Sequence, residues 1–296
     1  MANIYETITD NIVKAIESGA GEFTMPWHSK GLGLAMPHNA KTGDLYKGSN
    51  TLSLWIAKDS KGYSTDTWAT YKQWSEIGAQ VRKDEKATTG IYWSSFDKAV
   101  KGENGEDDIE RRIFGKAFYV FNADQVEGYQ PKDFQPTDDL TKRIEKADSV
   151  ISATKAIIKN MGARAFYDRI ADSITMPDRF RFTGSETSDA TQSYYSTLLH
   201  ELTHWTGATK RFDRTKGKRF GDPDYAFEEL VAELGAAFLC AELGIANEPR
   251  LDHAQYIENW LKALKNDHRA IFNAASLARQ SVEYILKFNQ PLAIAA

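Results

Sequence analysis

The stretch Tyr194-Tyr195-Ser196-Thr197-Leu198-Leu199-His200-Glu201-Leu202-Thr203-His204-Trp205 decides how the second half of the chain folds. Its apolar residues recur at helical spacing, and Gly207 supplies a stop just beyond it. His200 and His204 are four residues apart, so both imidazoles lie on one side of a helix and can bind one metal ion. Glu201, beside them, can hold a water molecule and accept its proton. The pattern therefore predicts a metal site of the hydrolytic type with Glu201 as its general base.

The next predicted helix offers two carboxylates, and a catalytic zinc site needs a third protein ligand. Asp222 as N-cap and Pro223 at the first helical position mark the start of this helix. Glu229 and Glu233 lie four residues apart on one face, where two like charges are unfavourable unless a cation lies nearby. We assign Glu229 as the third ligand and Glu233 as the carboxylate that orients a histidine ring. The reverse assignment and a simple salt-bridge role both stay open, and Glu228 is expected to be solvated.

Further expectations concern the surroundings of this site. The small residues 235–237 would let the carboxylate helix pack closely on the histidine helix. A peptide substrate is expected to lie along an exposed strand edge near Ile174-Thr175-Met176 by strand addition. The sequence does not identify the group that stabilises the oxyanion, for which Tyr225 and His253 are candidates. Zn²⁺ is the expected metal, and Mn²⁺ or Co²⁺ suit the same ligands.

Composition limits the class of protein. The chain has 296 residues, enough for two domains, and its apolar content of 42% and charged content of 26% are normal for a globular protein. The net charge of −4 excludes a basic field over the whole molecule, so nucleic-acid binding would need a local patch. The single cysteine, Cys240, excludes an internal disulfide and suits a reducing cytoplasm. Without a long apolar run or a signal peptide, we expect a cytoplasmic protein with no membrane partner.

The pattern along the chain predicts two domains. Isoleucines at helical spacing predict a first helix after an Asn3–Glu6 capping box. Strands are predicted at Ile91-Tyr92-Trp93 and Ala117-Phe118-Tyr119-Val120-Phe121, joined by a loop at 101–108. A helix is expected at about residues 138–160, followed by short strands near 166–167 and 174–176 and by helices up to residue 288. The predicted division is a domain at 1–127, a linker at 128–137 and a domain at 138–296.

The N-terminal half combines aromatic and basic residues, as surfaces that bind single-stranded nucleic acid do. Between Gly21 and Trp93 there are nine Lys plus Arg against seven Asp plus Glu, so the local charge is only about +2. A small aromatic core explains this composition at least as well. The candidate DNA-binding residues are Tyr46, Lys47, Trp68, Tyr71, Lys72, Trp74, Arg82, Lys83 and Lys86.

Several longer runs resemble a known family, the ArdC antirestriction proteins carried by conjugative plasmids. The resemblance covers nearly the whole chain. In the first half the runs are Asn39-Ala40-Lys41-Thr42-Gly43, Tyr46-Lys47-Gly48-Ser49-Asn50, Trp68 through Trp74 and Gly78 through Lys83. In the second half they are Ile174-Thr175-Met176-Pro177, Tyr194 through Gly207 and Glu228 through Glu233. Asp84 stands where we expect glycine, and Ala208 where we expect a polar residue.

The resemblance implies an α+β protein with two parts. It implies an N-terminal mixed α/β domain that binds single-stranded DNA and a C-terminal, mainly helical zincin-like metallopeptidase domain with a small β-sheet. The implied role is to protect transferred plasmid DNA from restriction in the recipient cell, with host restriction enzyme subunits as possible targets. An alternative is a DNA-coating or restriction-blocking protein with a structural metal. A small-molecule metallohydrolase is less well supported, because no phosphate-binding loop is visible.

Overall fold

The structure is a computed structural model that describes residues 3–19, 35–101, 107–130, 140–182, 189–214, 223–247 and 254–289. The elements of the first half are helices α1 (Ile4–Gly19), α2 (Ser49–Lys61) and α3 (Tyr71–Glu76) and strands β1 (His38–Asn39), β2 (Thr67–Ala69), β3 (Gln80–Val81), β4 (Thr88–Lys101), β5 (Asp107–Asn122) and β6 (Val126–Glu127). Those of the second half are helices α4 (Leu140–Ala153), α5 (Ala190–Thr206), α6 (Pro223–Leu243), α7 (Ala254–Asn266) and α8 (Ala270–Lys287) and strands β7 (Ile157–Asn160), β8 (Phe166–Asp168) and β9 (Ser173–Met176). The α+β class predicted from the sequence is confirmed.

Helix α1 forms as its isoleucine pattern predicts. Ile8, Ile12 and Ile16 are all buried, because residues four apart share one face of a helix. The predicted capping box forms in part: the N–H of Asn3 donates to Glu6, while the side chain of Asn3 accepts from the N–H of Tyr5, one residue before the donor of a full capping box. The apolar side of α1 thus faces the protein interior.

The sheet of the first half has the strand order β1-β2-β5-β4. Strands β4 and β5 pair antiparallel from Thr88 opposite Val120 to Lys101 opposite Asp107, so both predicted strands belong to one long ribbon. The tip of the predicted loop, residues 102–106, lies outside the described residues. A separate two-stranded sheet joins β3 to β6.

The helix predicted at residues 138–160 is shorter than expected. Helix α4 ends at Ala153, and residues 157–160 form strand β7 instead. The cause is a turn at Thr154 and Lys155, in which Lys155 has a φ of 58°, a conformation that no α-helix continues through. Beyond this turn, Ile157 and Ile158 are β-branched and pair in register with β9.

Strand β9 occupies the centre of the second sheet, whose order is β7-β9-β8. Both of its edges are paired, parallel to β7 and antiparallel to β8. A peptide cannot add to the Ile174-Thr175-Met176 strand itself, because its backbone N–H and C=O groups already bond to neighbours. Addition at an exposed edge near this strand stays a prediction for β7 or β8. Within the described residues, the edges of this sheet are β7 and β8.

The largest hydrophobic core joins the two halves of the chain. Trp55 of α2 packs against Phe238 of α6 with ring centroids 5.8 Å apart, and Tyr5 of α1 packs edge-on against Phe272 of α8 at 5.3 Å. The hydroxyl of Thr9 also donates to the carbonyl oxygen of His268, at 2.7 Å. Most of the predicted linker, from residue 131, lies outside the described residues. Helices α1 and α2 thus cover apolar surface that belongs to the C-terminal helices.

Candidate metal centre

Helices α5 and α6 carry the predicted metal-site residues, and they pack closely. An added Cβ at Gly235 of α6 would lie only 2.4 Å from Cγ2 of Thr203 on α5, so only glycine fits this approach. Asp189 caps the start of α5 by accepting a hydrogen bond from the backbone N–H of Gln192. At the other end, Gly207 donates its N–H to the carbonyl of His204, as the predicted stop requires. The expected close packing at residues 235–237 is confirmed at Gly235.

Two histidines and one glutamate meet where the helices touch. Nε2 of His200 lies 3.5 Å from one carboxylate oxygen of Glu229, and Nε2 of His204 lies 3.4 Å from the other. Each residue offers one ligand atom, and these three atoms all lie within 4.8 Å of one another. The imidazole rings are nearly perpendicular, with centroids 4.8 Å apart. The predicted ligand set is therefore brought to a common point.

The predicted general base lies in the same buried region. Glu201 follows His200 on α5 and is only 4% exposed. Of the two candidates for oxyanion stabilisation, Tyr225 is half-buried on α6, and His253 lies outside the described residues. Elsewhere, His38 bonds to Thr67 rather than contributing to the cluster.

The outer nitrogens of the two imidazoles face different carboxylates. Nδ1 of His204 lies 3.1 Å from Glu228, within hydrogen-bond distance. Nδ1 of His200 lies 3.7 Å from Glu233, an ion-pair distance that is longer than a hydrogen bond. The expectation that Glu228 is solvated is wrong, because this side chain is buried and occupied with His204. Glu228 thus takes the ring-orienting role that was expected of Glu233 alone.

Arg214 holds Glu228 in place, although nothing in the sequence marked this residue as part of the site. Its guanidinium donates two hydrogen bonds of 2.9 Å to the two oxygens of Glu228. It also donates to the hydroxyls of Thr206 and Ser281 and to the carbonyl of Thr203. Arg214 is 7% exposed and lies beyond the end of α5, where no periodic pattern marks it as buried. Only the tertiary structure brings it behind the site.

The electrostatics of the cluster favour a cation. Burial alone would raise the pKa of Glu229, but the neighbouring His204 and His200 hold it well below its usual value. Burial likewise opposes the charge on His204, yet Glu229 and Glu228 raise its pKa to about 9. Arg214 neutralises Glu228, so the charge of Glu229 faces the two imidazoles. Two imidazole nitrogens and one carboxylate oxygen are donors that suit Zn²⁺, Mn²⁺ or Co²⁺.

Two predicted DNA-contacting residues are interior residues. Trp68 and Trp74 are fully buried, so the prediction that they offer a surface to DNA is wrong for this structure. Trp68 lies on β2, which is buried between β1 and β5. The indole N–H of Trp74 donates to the carbonyl of Phe121, and its ring packs edge-on against Tyr129. The two rings belong to two separate small cores, Trp74 to one with Val81 and Val126 and Trp68 to one with Leu54 and Val120, so both are interior residues as the alternative reading of the composition had suggested.

The other predicted DNA contacts lie at least partly at the surface. Tyr71 is 53% exposed, and Tyr46 is half-buried. Three of the five cations face a carboxylate: Lys47 faces Glu283, Lys72 faces Glu76 and Arg82 faces Glu85. Lys83 and Lys86 are exposed and form no ion pair with a described residue. These pairs reduce the positive potential that would attract a polyanion.

Comparisons with known proteins identify the family. A family model described as "N-terminal domain of anti-restriction factor ArdC" matches residues 2–121, and one described as "Zincin-like metallopeptidase" matches residues 145–277. The metal-free crystal structure of the antirestriction protein ArdC from plasmid R388 is 35% identical, with a TM-score of 0.77 over 97% of this chain and 98% of that chain. The chain belongs to the ArdC family of antirestriction proteins.

Other relatives of this ArdC family member are known. The Mn(II)-bound structure of R388 ArdC is 34% identical, with a TM-score of 0.76, and covers 98% of this chain and all of that one. The uncharacterized protein y4eC of Sinorhizobium fredii is 40% identical over 96% of this chain and 91% of its own length. Two Escherichia coli DNA primases named TraC are 35% and 34% identical over 97% of this chain, which spans only 20% and 27% of their lengths.

Asp84 is one position at which this sequence differs from the glycine expected from the resemblance to ArdC proteins. Its φ of 66° lies in the left-handed region, which favours glycine.

In the part of the chain that the structure describes, no helix has the length and apolar character to cross a bilayer.

Proposed function

We propose that this chain protects incoming conjugative plasmid DNA from host restriction, binds single-stranded DNA and carries a metallopeptidase-type centre on α5 and α6. The observation that carries the proposal is the convergence of His200, His204 and Glu229, with the buried Glu201 next to His200 in the sequence. The Mn(II) in the R388 relative supports a divalent ion at these ligands, with Zn²⁺ as the expected metal and Mn²⁺ or Co²⁺ as alternatives. The proposed site of action is the cytoplasm.

In the proposed chemistry each residue has one task. His200, His204 and Glu229 hold the ion, which when bound supplies Lewis-acid polarisation of a peptide carbonyl. Glu201 removes a proton from the attacking water and delivers it to the leaving nitrogen. Glu228, itself held by Arg214, accepts a hydrogen bond from Nδ1 of His204 and so orients the ring with Nε2 toward Glu229, where it would be available as a metal ligand.

The proposed hydrolysis is tested with Glu201→Gln. This change keeps the size of the side chain and removes its basicity, so peptide hydrolysis should be lost while metal content by elemental analysis is unchanged. His200→Ala should lose the metal, and His268→Ala serves as the matched control because it keeps the backbone carbonyl that Thr9 uses. Unchanged metal content in His200→Ala would contradict the ligand assignment.

A second candidate function is a non-proteolytic binding protein whose metal is structural. It is favoured by burial: His200, Glu201, His204 and Glu229 are all 7% exposed or less, whereas a catalytic site must admit its substrate. Glu201→Gln separates the two candidates in a plasmid-transfer assay with a restricting recipient. If protection survives the change, proteolysis of restriction enzyme subunits is not how DNA is protected.

Single-stranded DNA as a partner is supported by the family and by the two relatives named DNA primase. We propose residues 1–127 as the DNA-binding part, 128–137 as a linker and 138–296 as the metallopeptidase-like part. The test is anisotropy of a labelled oligonucleotide, because Trp93 is the only exposed tryptophan among the described residues and a label does not depend on contact with one ring. Absence of binding at low salt would remove the DNA claim.

A further inference from the structure

The outer part of the β4–β5 ribbon carries aromatic and cationic side chains on one face. Partners across an antiparallel pair share a face, so Tyr92 lies beside Lys116, Ser94 beside Phe114 and Phe96 beside Arg112. Lys98 follows on the same face of β4, opposite Glu110 of β5. We call this set the aromatic–cationic face; its members are Tyr92, Phe96, Lys98, Arg112, Phe114 and Lys116.

The rings of this face are ordered by their neighbours and still meet solvent. The ammonium of Lys116 lies 6.0 Å from the ring centroid of Tyr92 and 5.2 Å from that of Phe114. Phe96 packs edge-on against Phe114, with centroids 5.6 Å apart. Tyr92 and Phe96 are nevertheless about half exposed, at 47% and 50%. Water-exposed rings held in a row form a surface on which planar groups can stack.

The row of rings continues toward the body of the protein. Phe118 lies farther along the same face of β5, and its ring covers Gly90 so closely that no Cβ would fit there. Tyr46 stacks on Phe118 with an interplanar angle of 12° and a centroid distance of 6.2 Å. The face is thus continuous with one residue that the sequence had marked for DNA binding.

The charge of the face is positive. Lys98 and Lys116 form no ion pair with a described residue, and both are exposed. Arg112 pairs with Glu110 at 2.9 Å, and Glu110 lies on the same face, so the face holds three cations against one carboxylate and keeps a net positive charge. Rings for stacking beside free cations are the combination that holds an unpaired polynucleotide strand. Net positive charge on an otherwise acidic chain marks this face as a place for a polyanion.

We propose that the aromatic–cationic face of the β4–β5 ribbon binds single-stranded DNA, with bases on its rings and phosphates on its lysines and Arg112. The inference rests on the proposed DNA binding and assigns it to a surface that, apart from Tyr46 at its base, contains none of the residues predicted from the sequence. The opposite face of the ribbon is different in character: Trp93 packs against Tyr5 and Phe272, and Arg111 donates to the hydroxyl of Ser95.

The experiment measures binding of labelled oligo(dT) to the full chain by anisotropy at several salt concentrations. Phe96→Ala and Lys116→Gln should each weaken binding on the order of tenfold. Changing Lys98, Arg112 and Lys116 together to Gln should reduce the slope of log affinity against log salt by about 2, since each phosphate contact contributes roughly 0.7. Ile109→Ala and Ile113→Ala, at exposed positions on the opposite face, are matched controls that should bind as the wild type does.

The outcomes separate this proposal from the broader one. If the wild type does not bind oligo(dT), DNA binding itself fails. If the wild type binds and the folded Phe96→Ala and triple-Gln variants bind equally well, the face is overturned while DNA binding stands, and Lys83→Gln with Lys86→Gln would then locate the true contacts. If the face instead holds a second copy of the chain, sedimentation will show self-association that Phe96→Ala abolishes without changing the DNA affinity, which also overturns the proposal.

Discussion

Arg214 shows how a single buried cation can support the candidate metal site without being one of its proposed ligands. Its guanidinium binds both oxygens of Glu228, which accepts from His204, and its remaining donors bind Thr206, Ser281 and the backbone of Thr203. A buried pair of this kind contributes little net stability compared with apolar groups, but losing one partner leaves an uncompensated charge. Arg214 is therefore a positioning residue, because its loss would free Glu228 and so change the orientation of the His204 imidazole.

The variant Arg214→Met should destabilise the fold by about 3–5 kcal/mol, because Glu228 would remain charged and buried. Adding Glu228→Gln removes that charge and should restore part of the loss. Denaturant unfolding measures the stabilities, and metal affinity, expected to fall roughly 10–100-fold in Glu228→Gln, reports the positioning role. Equal stability of the single and double variants would argue against the charge explanation.

The titration of His204 gives a dependence of stability on pH in the metal-free protein. Its pKa is raised from 6.5 to about 9, since Glu229 and Glu228 outweigh the effect of burial. Protonated His204 therefore stabilises the fold fully below pH 6.5, and this contribution is lost as the pH rises through about 9. The urea midpoint of the chelator-treated wild type should fall as the pH rises across this range. The midpoint of the His204→Gln variant should fall less. A flat wild-type profile between pH 6.5 and 9 would show that folding does not raise the pKa of His204.

At the scale of elements, the contact between α5 and α6 depends on one missing side chain. Gly235→Ala would place a Cβ 2.4 Å from Cγ2 and 2.7 Å from Oγ1 of Thr203, so the helices would have to separate. We expect a loss of about 1–3 kcal/mol from this overpacking and weaker metal binding, because His200 and Glu229 lie on opposite helices. Thermal unfolding and metal titration measure the two effects.

Thr203→Ala provides the control for the Gly235 prediction. It removes the atoms that the new Cβ would meet, so the double variant should be more stable than the sum of the two single changes implies. Strict additivity of the two losses would mean that steric contact with Thr203 is not the cause.

Local periodicity was sufficient for several elements of this protein. The isoleucines of α1, the histidine spacing on α5 and the β-branched and aromatic runs of β4 and β5 all predict the observed structure. Periodicity failed where a single turn decides: Lys155, with its positive φ, ends α4 and starts β7 inside a run that otherwise looks helical. Strand order has no local signal, so the central position of β9 could not be foreseen.

The residues of the candidate site also fall into two groups, those predictable from local spacing and those that depend on the tertiary structure. The approach of His200, His204 and Glu229 follows from two helical spacings and one small residue at the helix contact. The role of Glu228 depends on which side of α6 faces α5, and the role of Arg214 depends on the path of the chain after α5. A pattern of a few residues predicts neither of these. The prediction that Trp68 and Trp74 contact DNA was wrong because tryptophan is common both in buried cores and on stacking surfaces.

At the scale of the whole molecule, the shared core predicts that the halves are not independent. A fragment of residues 138–296 would expose Phe238 and Phe272, which Trp55 and Tyr5 cover in the full chain. Exposed apolar surface of this kind promotes aggregation. We expect the fragment to bind a hydrophobic dye and to unfold without a sharp transition, as followed by circular dichroism. A monomeric fragment with cooperative unfolding near the full-length midpoint would show that the C-terminal half folds on its own.

The apolar contact between α1, α2 and the C-terminal helices also bears on how such a sequence is inherited. A recombination junction placed between the halves would leave each new protein with an incomplete interior, so exchange of one half alone should rarely survive. Transfer of the two together preserves every contact. The TraC primases fit this expectation, because each aligns with 97% of the chain as one block inside a much longer polypeptide.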